Sequence, residues 1–490
     1  MKIAIIGAGF AGISSAKVLK QLGHDVTVLE KTPDIGGVWS RTRRYPGLKT
    51  QNNKGTYCLS DLKMPRSYPE WPSGEQVAAY LASYAEKFDL LPHVRLNTEV
   101  THAAPAASGG WHVTTPAGTE HFDHLVLASG IFSRPFVPPV EGLEDLERAG
   151  GTYLPSSEFH SMDQVRGKHT VVLGYGKSAC DITVEIAKEA ASTTVVAREL
   201  LWKMPRKVNG IVNYKFLMLN RLGEGLFRYR AVNGAEKLLH AKDSKLANGM
   251  LGSVESVTTK QLHLEKLGLV PLGTFADIAK STVSLASEGF FEGVASGAIQ
   301  VHRDTVIQRF LEKDGKPYAE LADGDVVRAD VVIAATGWTQ DIPFLPQDVL
   351  DRLHDDNGDF LLYRQIHPID VPDLSFAGYN SSFFSPLSAE VSAIWIGSYL
   401  AGHHRTPSRE EMLRETRERL AWMRERTGGM HARGTNIIPF SMHNVDEVLS
   451  DVGLDVSKRT KAKQWLMPVK PADYRRITPK LARRIGVRSS

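Results

Sequence analysis

Two glycine-rich segments, Gly7-Ala8-Gly9-Phe10-Ala11-Gly12 and Gly174-Tyr175-Gly176-Lys177-Ser178-Ala179, are the residues of this chain whose types and spacing most directly imply chemistry. Each follows a short apolar run, Ile3-Ala4-Ile5-Ile6 or Thr170-Val171-Val172-Leu173, and each opens a helical pattern. At such a strand-to-helix turn, backbone N–H groups converge on one point and can bind a pyrophosphate. One glycine permits the tight turn, one lets the backbone approach the phosphates, and the last position, Gly12 or Ala179, lets the helix pack closely on the sheet. The chain is therefore expected to hold two dinucleotides.

The residue that ends the following strand separates the two sites. After the first loop, Asp25-Val26-Thr27-Val28-Leu29 ends in Glu30, with Lys31 next. A carboxylate there accepts hydrogen bonds from a ribose diol, which suits an unphosphorylated adenosine. After the second loop, Thr194-Val195-Val196-Ala197 ends in Arg198, with Lys203, Arg206 and Lys207 close behind. A guanidinium fork matches phosphate oxygens, so this site suits a 2′-phosphate.

The elements that must position these loops can be read more coarsely. A helix is expected from about Gly74 to Phe88, and the strand-like run Asp123-His124-Leu125-Val126-Leu127-Ala128-Ser129-Gly130 leads to a Pro-studded connector, Arg134-Pro135-Phe136-Val137-Pro138-Pro139. The same kind of run recurs as Asp330-Val331-Val332-Ile333-Ala334-Ala335-Thr336-Gly337. Both mark places where the chain crosses between domains. The expected organisation is a discontinuous first domain, 1–160 with 329–455, and an inserted second domain, 165–328, carrying a mostly helical insertion over about 205–285. A surface helix is expected from Ser408, where Ser408 and Glu411 have capping-box spacing, to Gly428-Gly429; Glu410/Arg414 and Glu415/Arg419 are i,i+4 pairs along it.

Composition fits an enzyme of ordinary make-up. With 490 residues, 42% hydrophobic and 23% charged, the chain is neither disordered nor membrane-embedded by composition, and no apolar run reaches the about 18 residues of a spanning helix. The first strand begins at residue 2 or 3, so no leader peptide is expected. Two distant cysteines, Cys58 and Cys180, point to a reducing, cytoplasmic setting. The net charge of +4 is uneven: residues 456–490 contain eleven Lys or Arg and one Asp. This basic tail reads as a solvated extension or a strap across the body, with nucleic acid not expected as a partner. His403-His404 has no metal-ligand companion at useful spacing, so no metal is expected and the pair reads as a solvated helix end.

Taken in order, Gly7 to Gly12, Gly36-Gly37-Val38-Trp39, Tyr45-Pro46-Gly47-Leu48, Ala128-Ser129-Gly130, Gly174 to Asp181 and Ala335-Thr336-Gly337 resemble the class B flavin-dependent monooxygenases, nearest the flavin-containing monooxygenases, over roughly residues 1–450. The segments 256–272 and 281–297 also resemble that family's middle part. The resemblance implies an α/β fold with two Rossmann-like dinucleotide-binding domains, FAD on the first and NADPH on the second. It further implies that Val38 and Trp39 flank the flavin and that Ser178 to Asp181 line the NADP pyrophosphate. Lys31, Gly37, Thr50, Val100, Ser129 and Gly130 complete the FAD set, and Lys177, Ala179 and Asp181 the NADPH set. The activity it implies is NADPH- and O2-dependent insertion of one oxygen atom at a nucleophilic N or S of a small organic substrate, through a C4a-hydroperoxyflavin. The turn Asn380 to Leu387 would aim a helix N-terminus at the flavin, and Phe383 and Phe384 would line the substrate entrance or belong to the core.

Two departures from the family pattern stand out. In the signature before the second fingerprint, the register on His160 places Leu154, Ser156 and Gln164 where an aromatic, a glycine and a second aromatic are usual. Aligning Lys54 and Asp61 places Thr50-Gln51 where the family has Thr-Asn, the amide that touches NADP and supports the oxygenated flavin. Either Gln51 supplies this catalytic amide on a longer stem or Asn52 fills it. Baeyer-Villiger or N-hydroxylating chemistry shares both nucleotide sites and stays open, as does a flavin- and NADP-binding redox sensor without turnover. A disulfide reductase would need a C-x-x-C or C-x4-C pair, which is absent. A homodimer is compatible with all of these readings.

Overall fold

The computed structural model describes residues 1–234, 236–241, 245–280 and 284–487. Of the segments singled out above, residues 281–283 of the middle part and 488–490 of the tail lie outside the described residues.

Two five-stranded parallel sheets carry the architecture. The first has the order Leu374–Phe376, His124–Leu127, Lys2–Ile6, Asp25–Leu29, Val94–Arg95, and the second the order Gln300–Arg303, Ser192–Ala197, His169–Leu173, Val331–Ala334, Thr152–Pro155. In both, the strand before the glycine loop sits centrally, with the strand that follows its helix on one side and a returning strand on the other. This is the α/β, doubly wound arrangement expected from the sequence. The apolar runs read as strands because both faces are covered: Ile3, Ala4 and Ile5 are fully buried, as are Val171 and Val172.

Strand pairing moves the boundaries drawn from the sequence. Thr152–Pro155 and Val331–Ala334, assigned above to the first domain, are hydrogen-bonded into the second sheet, Val331 opposite both Thr170 and Thr152. The second unit therefore runs from about 152 to 334 rather than from 165 to 328. The crossings come immediately outside it, where Arg134–Pro135 and Trp338–Thr339 pair antiparallel as a two-stranded ribbon. A proline is compatible with this ribbon because an edge strand needs no N–H toward solvent.

Local signals hold where they are self-contained. The helix Gly74–Lys87 starts at a capping box between Ser73 and Gln76, and Arg409–Thr427 at one between Ser408 and Glu411, ending at left-handed Gly428. The latter helix is only partly a surface helix. Met412, Thr416, Arg419, Leu420 and Met423 are buried. Glu415 pairs with Arg230 and Arg364, and Arg419 with Glu447, in preference to each other. The basic tail is a strap: Val469, Tyr474, Ile477 and Leu481 are buried, and the Val469 N–H donates to Leu219 O at 2.8 Å. His404 is not solvated as expected, since its ring packs on Trp395 at 4.6 Å and its Nδ1 meets Ser398 Oγ at 2.9 Å.

The insertion is helical, with Leu246–Gln261 its longest element. Several ion pairs tie it to the helix Ser441–Asp451, among them a clamp in which His443 lies between Glu224 through Nδ1 and Glu236 through Nε2, the latter at 2.9 Å. Burial alone would lower the His443 pKa, but hydrogen bonds to and charge on the two glutamates overcome it and raise it from 6.5 to about 10. A raised folded-state pKa contributes stability that is full below the unfolded value and lost as pH rises through the folded one. The stability difference between the protein and its His443→Gln variant, from denaturant melts, is therefore expected to be largest below pH 6.5 and to fade toward about pH 10; a difference that does not change with pH would refute the clamp.

Candidate active site

The first glycine loop is built by close backbone contact. Gly7 has φ +107°, and a Cβ there would stand 2.7 Å from Ala128 O. A Cβ at Gly12 would collide with the Gly7 carbonyl, and one at Gly37, φ +59°, would lie 2.9 Å from Gly9 Cα. These contacts lay the Phe10–Gln21 helix N-terminus over the strand ends. Its first turn has no acidic residue and no side-chain cap, so its N–H groups are open to an anion. Phe10 is buried against Tyr57, ring centroids 5.2 Å apart, and Tyr57 lies 5.9 Å from Trp39. Ala11 faces Gly378, whose Cβ would come within 2.8 Å of it.

Glu30 is 6% exposed and spends part of its capacity inside the protein: Oε2 accepts the Ala8 N–H at 2.7 Å and Oε1 the Thr32 N–H at 2.8 Å. A carboxylate has about four acceptor sites, so it can still receive a ribose diol while fixing the loop. Lys31 is exposed beside it, and Val100 is buried among Ile6 and Leu29 at the same strand ends. Thr50 Oγ1 and Ser129 Oγ are buried polar atoms without a hydrogen-bond partner among the described residues, and Ser129 follows the very residue that abuts Gly7. With Gly130 open above them, since a Cβ there meets nothing within 4 Å, these residues fit a flavin dinucleotide.

The second loop repeats the first. Gly174 has φ +111°, and a Cβ would stand 2.6 Å from Ala335 O; Ala179 is fully buried beneath it. Gly176 is the informative residue. Its φ of −68° suits any amino acid and a Cβ would meet no atom within 4 Å. Nothing among the described residues requires glycine there, whereas a pyrophosphate approaching the Lys177–Ile186 helix N-terminus would. Behind the loop, Lys177 bonds Asp181, and Ser287 Oγ donates to the same carboxylate at 2.6 Å. Burial lowers the Lys177 pKa, opposed by Asp181. Ser178 Oγ accepts from Tyr45 OH at 3.2 Å, which joins the two nucleotide units directly.

Of the basic residues near the 2′-phosphate position, the structure keeps Arg198 and Lys207 exposed. Arg198 has no hydrogen bond or ion pair among the described residues. Lys203 serves elsewhere: it is 2% exposed, donates to Tyr175 O at 2.6 Å and supports the loop from behind. Arg206 pairs with Glu288 at 2.7 Å and covers Trp71 at 5.0 Å. Arg303, which sequence reasoning missed, is exposed on the neighbouring strand opposite Ala197; only strand pairing brings it beside Arg198.

Gln51 and Asn52 come together with three distant segments. Asn52 Nδ2 donates to Phe383 O, its Oδ1 accepts from Tyr214 OH at 2.9 Å, and Gln51 Oε1 accepts the Leu285 N–H at 3.3 Å. Phe383 and Phe384, 7% and 1% exposed, are core rather than an open entrance. They precede the Ser385–Leu400 helix, whose first turn also lacks an acidic residue. His160 is exposed, and Gln164 caps its turn by accepting the His160 and Ser161 N–H groups at 2.8 and 3.0 Å. Cys58 is 2% exposed, and burial reinforced by Glu390 pushes its thiol up to about 12.

A family model described as flavin-binding monooxygenase-like matches residues 1–457. The chain belongs to that family. It is an FAD-dependent NADPH monooxygenase. It is 28% identical to flavin-containing monooxygenase 2 of Homo sapiens over 84% of this chain and 75% of that protein. Among solved structures it is similar to cyclohexanone monooxygenase from Rhodococcus sp. Phi1 bound to NADP+, with TM-score 0.69, 19% identity and 92% and 97% of the two chains covered. It is also similar to S-allyl-L-cysteine S-oxygenase from Allium sativum, with TM-score 0.62, 17% identity and 99% and 97% covered. No helix among the described residues is long and apolar enough to cross a membrane.

Two variants test this geometry. Arg198→Ala is expected to weaken NADPH by about tenfold to a hundredfold, the loss of a charged hydrogen bond, with NADH little changed in the same titration; equal losses would show that the phosphate lies elsewhere. Gly176→Val is expected to abolish NADP+ binding while the flavin stays bound and the thermal midpoint moves little. An NADP+ titration and melting curve decide this.

Proposed function

We propose that the enzyme delivers one oxygen atom to a nucleophilic nitrogen or sulfur of a small organic substrate. The supporting observation is the absence of a base among the groups bonded to the two side-chain amides in the described residues: the Phe383 carbonyl, the Tyr214 hydroxyl and the Leu285 N–H. Tyr214 is held well above its ordinary pKa by burial. It is therefore not poised to take a proton near neutral pH. A lone pair on N or S attacks an activated oxygen without the help of a base, so such a site suits these substrates.

On this reading, Gly7, Gly9, Phe10, Ala11, Gly12, Glu30, Gly37, Val38, Trp39, Thr50, Ser129 and Gly130 hold FAD. Gly174, Gly176, Lys177, Ser178, Ala179, Asp181 and Arg198 hold NADPH. The bound cofactors supply hydride transfer and oxygen activation, which side chains do not. Gln51 presents a carboxamide to the cleft, because both ends of the Asn52 amide are already engaged by Phe383 and Tyr214. The aromatic wall of Phe10, Trp39 and Tyr57 keeps water from the reacting atoms, and the positive end of the Ser385–Leu400 helix favours negative charge at its tip. The buried free thiols Cys58 and Cys180 fit a reducing cytoplasm.

A panel of a thioether, a tertiary amine and a cyclic ketone, run with NADPH under labelled O2, tests the proposal. Label is expected in the S-oxide and N-oxide, with no lactone from the ketone. Lactone as the main product would move the enzyme to Baeyer-Villiger chemistry, and NADPH consumption that no substrate accelerates would favour a redox sensor.

A further inference from the structure

The insertion reaches the flavin-side loop through one short stretch. Tyr214 is 2% exposed although Val212 and Phe216, two residues to either side, are 44% and 43% exposed. Its hydroxyl is 2.9 Å from both Gln51 O and Asn52 Oδ1, two acceptors that share its one proton. On either side of it, Asn213 Nδ2 and Lys215 Nζ donate to Glu70 Oε1 at 2.7 and 2.8 Å. Arg206, whose carbonyl accepts the Tyr214 N–H at 3.1 Å, covers Trp71. Glu70 and Trp71 are themselves bound to the Gln51 loop, since Lys54 N–H donates to Glu70 O at 2.8 Å and Thr50 N–H to Pro72 O at 3.0 Å.

The result is an uneven pair of amides. Asn52 is fastened at Nδ2 and at Oδ1, so it can turn only by breaking buried hydrogen bonds. Gln51 has its main chain held by Tyr214, but its side chain has one long contact, to the Leu285 N–H, and its Nε2 has no hydrogen bond among the described residues. The less fastened amide is thus mounted on a held peptide, and the group that holds the peptide belongs to the other nucleotide unit.

We propose that Tyr214 is a positioning residue for oxygen transfer: its hydroxyl fixes the Gln51–Asn52 peptide, and so sets where the Gln51 carboxamide stands between the two cofactor sites. The proposal rests on the assignment of Gln51 to the oxygenation step. Tyr214 itself touches neither cofactor nor substrate in this account and acts through Gln51.

Tyr214→Phe keeps the buried ring and removes only the hydroxyl. In the flavin-loaded protein, the amide of Leu285 is expected to exchange hydrogen faster, because its acceptor is the Gln51 side chain. Hydrogen peroxide released per NADPH consumed should rise about threefold to tenfold, the scale of one lost hydrogen bond, while the KM for NADPH changes by less than about twofold. The Gln51→Leu variant should be uncoupled to a similar degree, and adding Tyr214→Phe to it should add little, since both changes act through one group. Unchanged Leu285 exchange, wild-type coupling in Tyr214→Phe, or a full additional effect on the Gln51→Leu background would each overturn the proposal. If the wild-type protein oxygenates nothing in the panel, the functional reading fails instead, and hydrogen exchange alone decides whether Tyr214 holds Gln51.

Discussion

One contact, made twice, organises this protein: a glycine at the end of a central strand lies against the carbonyl that ends the neighbouring, returning strand. Gly7 meets Ala128 in this way and Gly174 meets Ala335. With no Cβ between them, each loop sits directly on the sheet and its helix N-terminus opens into the crevice where strand order reverses. That is the place where ligands bind in open parallel sheets. Ala128 and Ala335 also stand just before the two crossings, a few residues from the Arg134–Pro135 and Trp338–Thr339 ribbon. The ribbon is tightened by Phe136 N–H donating to Gly337 O at 2.9 Å. Both loops are thereby tied to one short ribbon.

A second set of contacts joins the two nucleotide units directly. Tyr45 reaches Ser178 from the flavin side, and Gly47 packs so closely on Glu185 that a side chain there would strike it. From the other side, residues 206–215 hold the Gln51 loop and its Glu70–Trp71 flank. Each hydrogen bond is worth only about 1 kcal/mol, but they are drawn from separate segments and most are at least partly buried. The junction between the two units is therefore defined by agreement among several weak ties, and in it the Gln51 carboxamide is held by one long hydrogen bond.

Much of this was legible from local pattern. The two loops, their strands, the Glu30 and Arg198 contrast, the Ser73 helix and the Ser408 capping box each depend on residues within a few positions of one another. Readings failed where a residue's partner is distant. Glu415 and Arg419 have ideal spacing for each other, yet bond Arg364, Arg230 and Glu447 instead. Lys203 has the right charge and place for a phosphate site, yet is buried on the Tyr175 carbonyl. The strands at 152–155 and 331–334 look like parts of the first sheet because apolar runs do not say which neighbour they pair with.

What the amino-acid sequence alone determined was the chemistry of the cofactor sites. Glycine spacing, strand-end charge and helix caps are short-range properties, imposed by backbone sterics and by hydrogen bonds that close within one turn. Tertiary structure alone decided how those residues are placed: which sheet claims the crossing strands, which cations stay exposed at the second strand end, and which of two adjacent amides is the less fastened. Those outcomes follow from burial and from contacts between residues more than a hundred positions apart, such as Tyr214 with Asn52 and Asn52 with Phe383, and no local pattern encodes them.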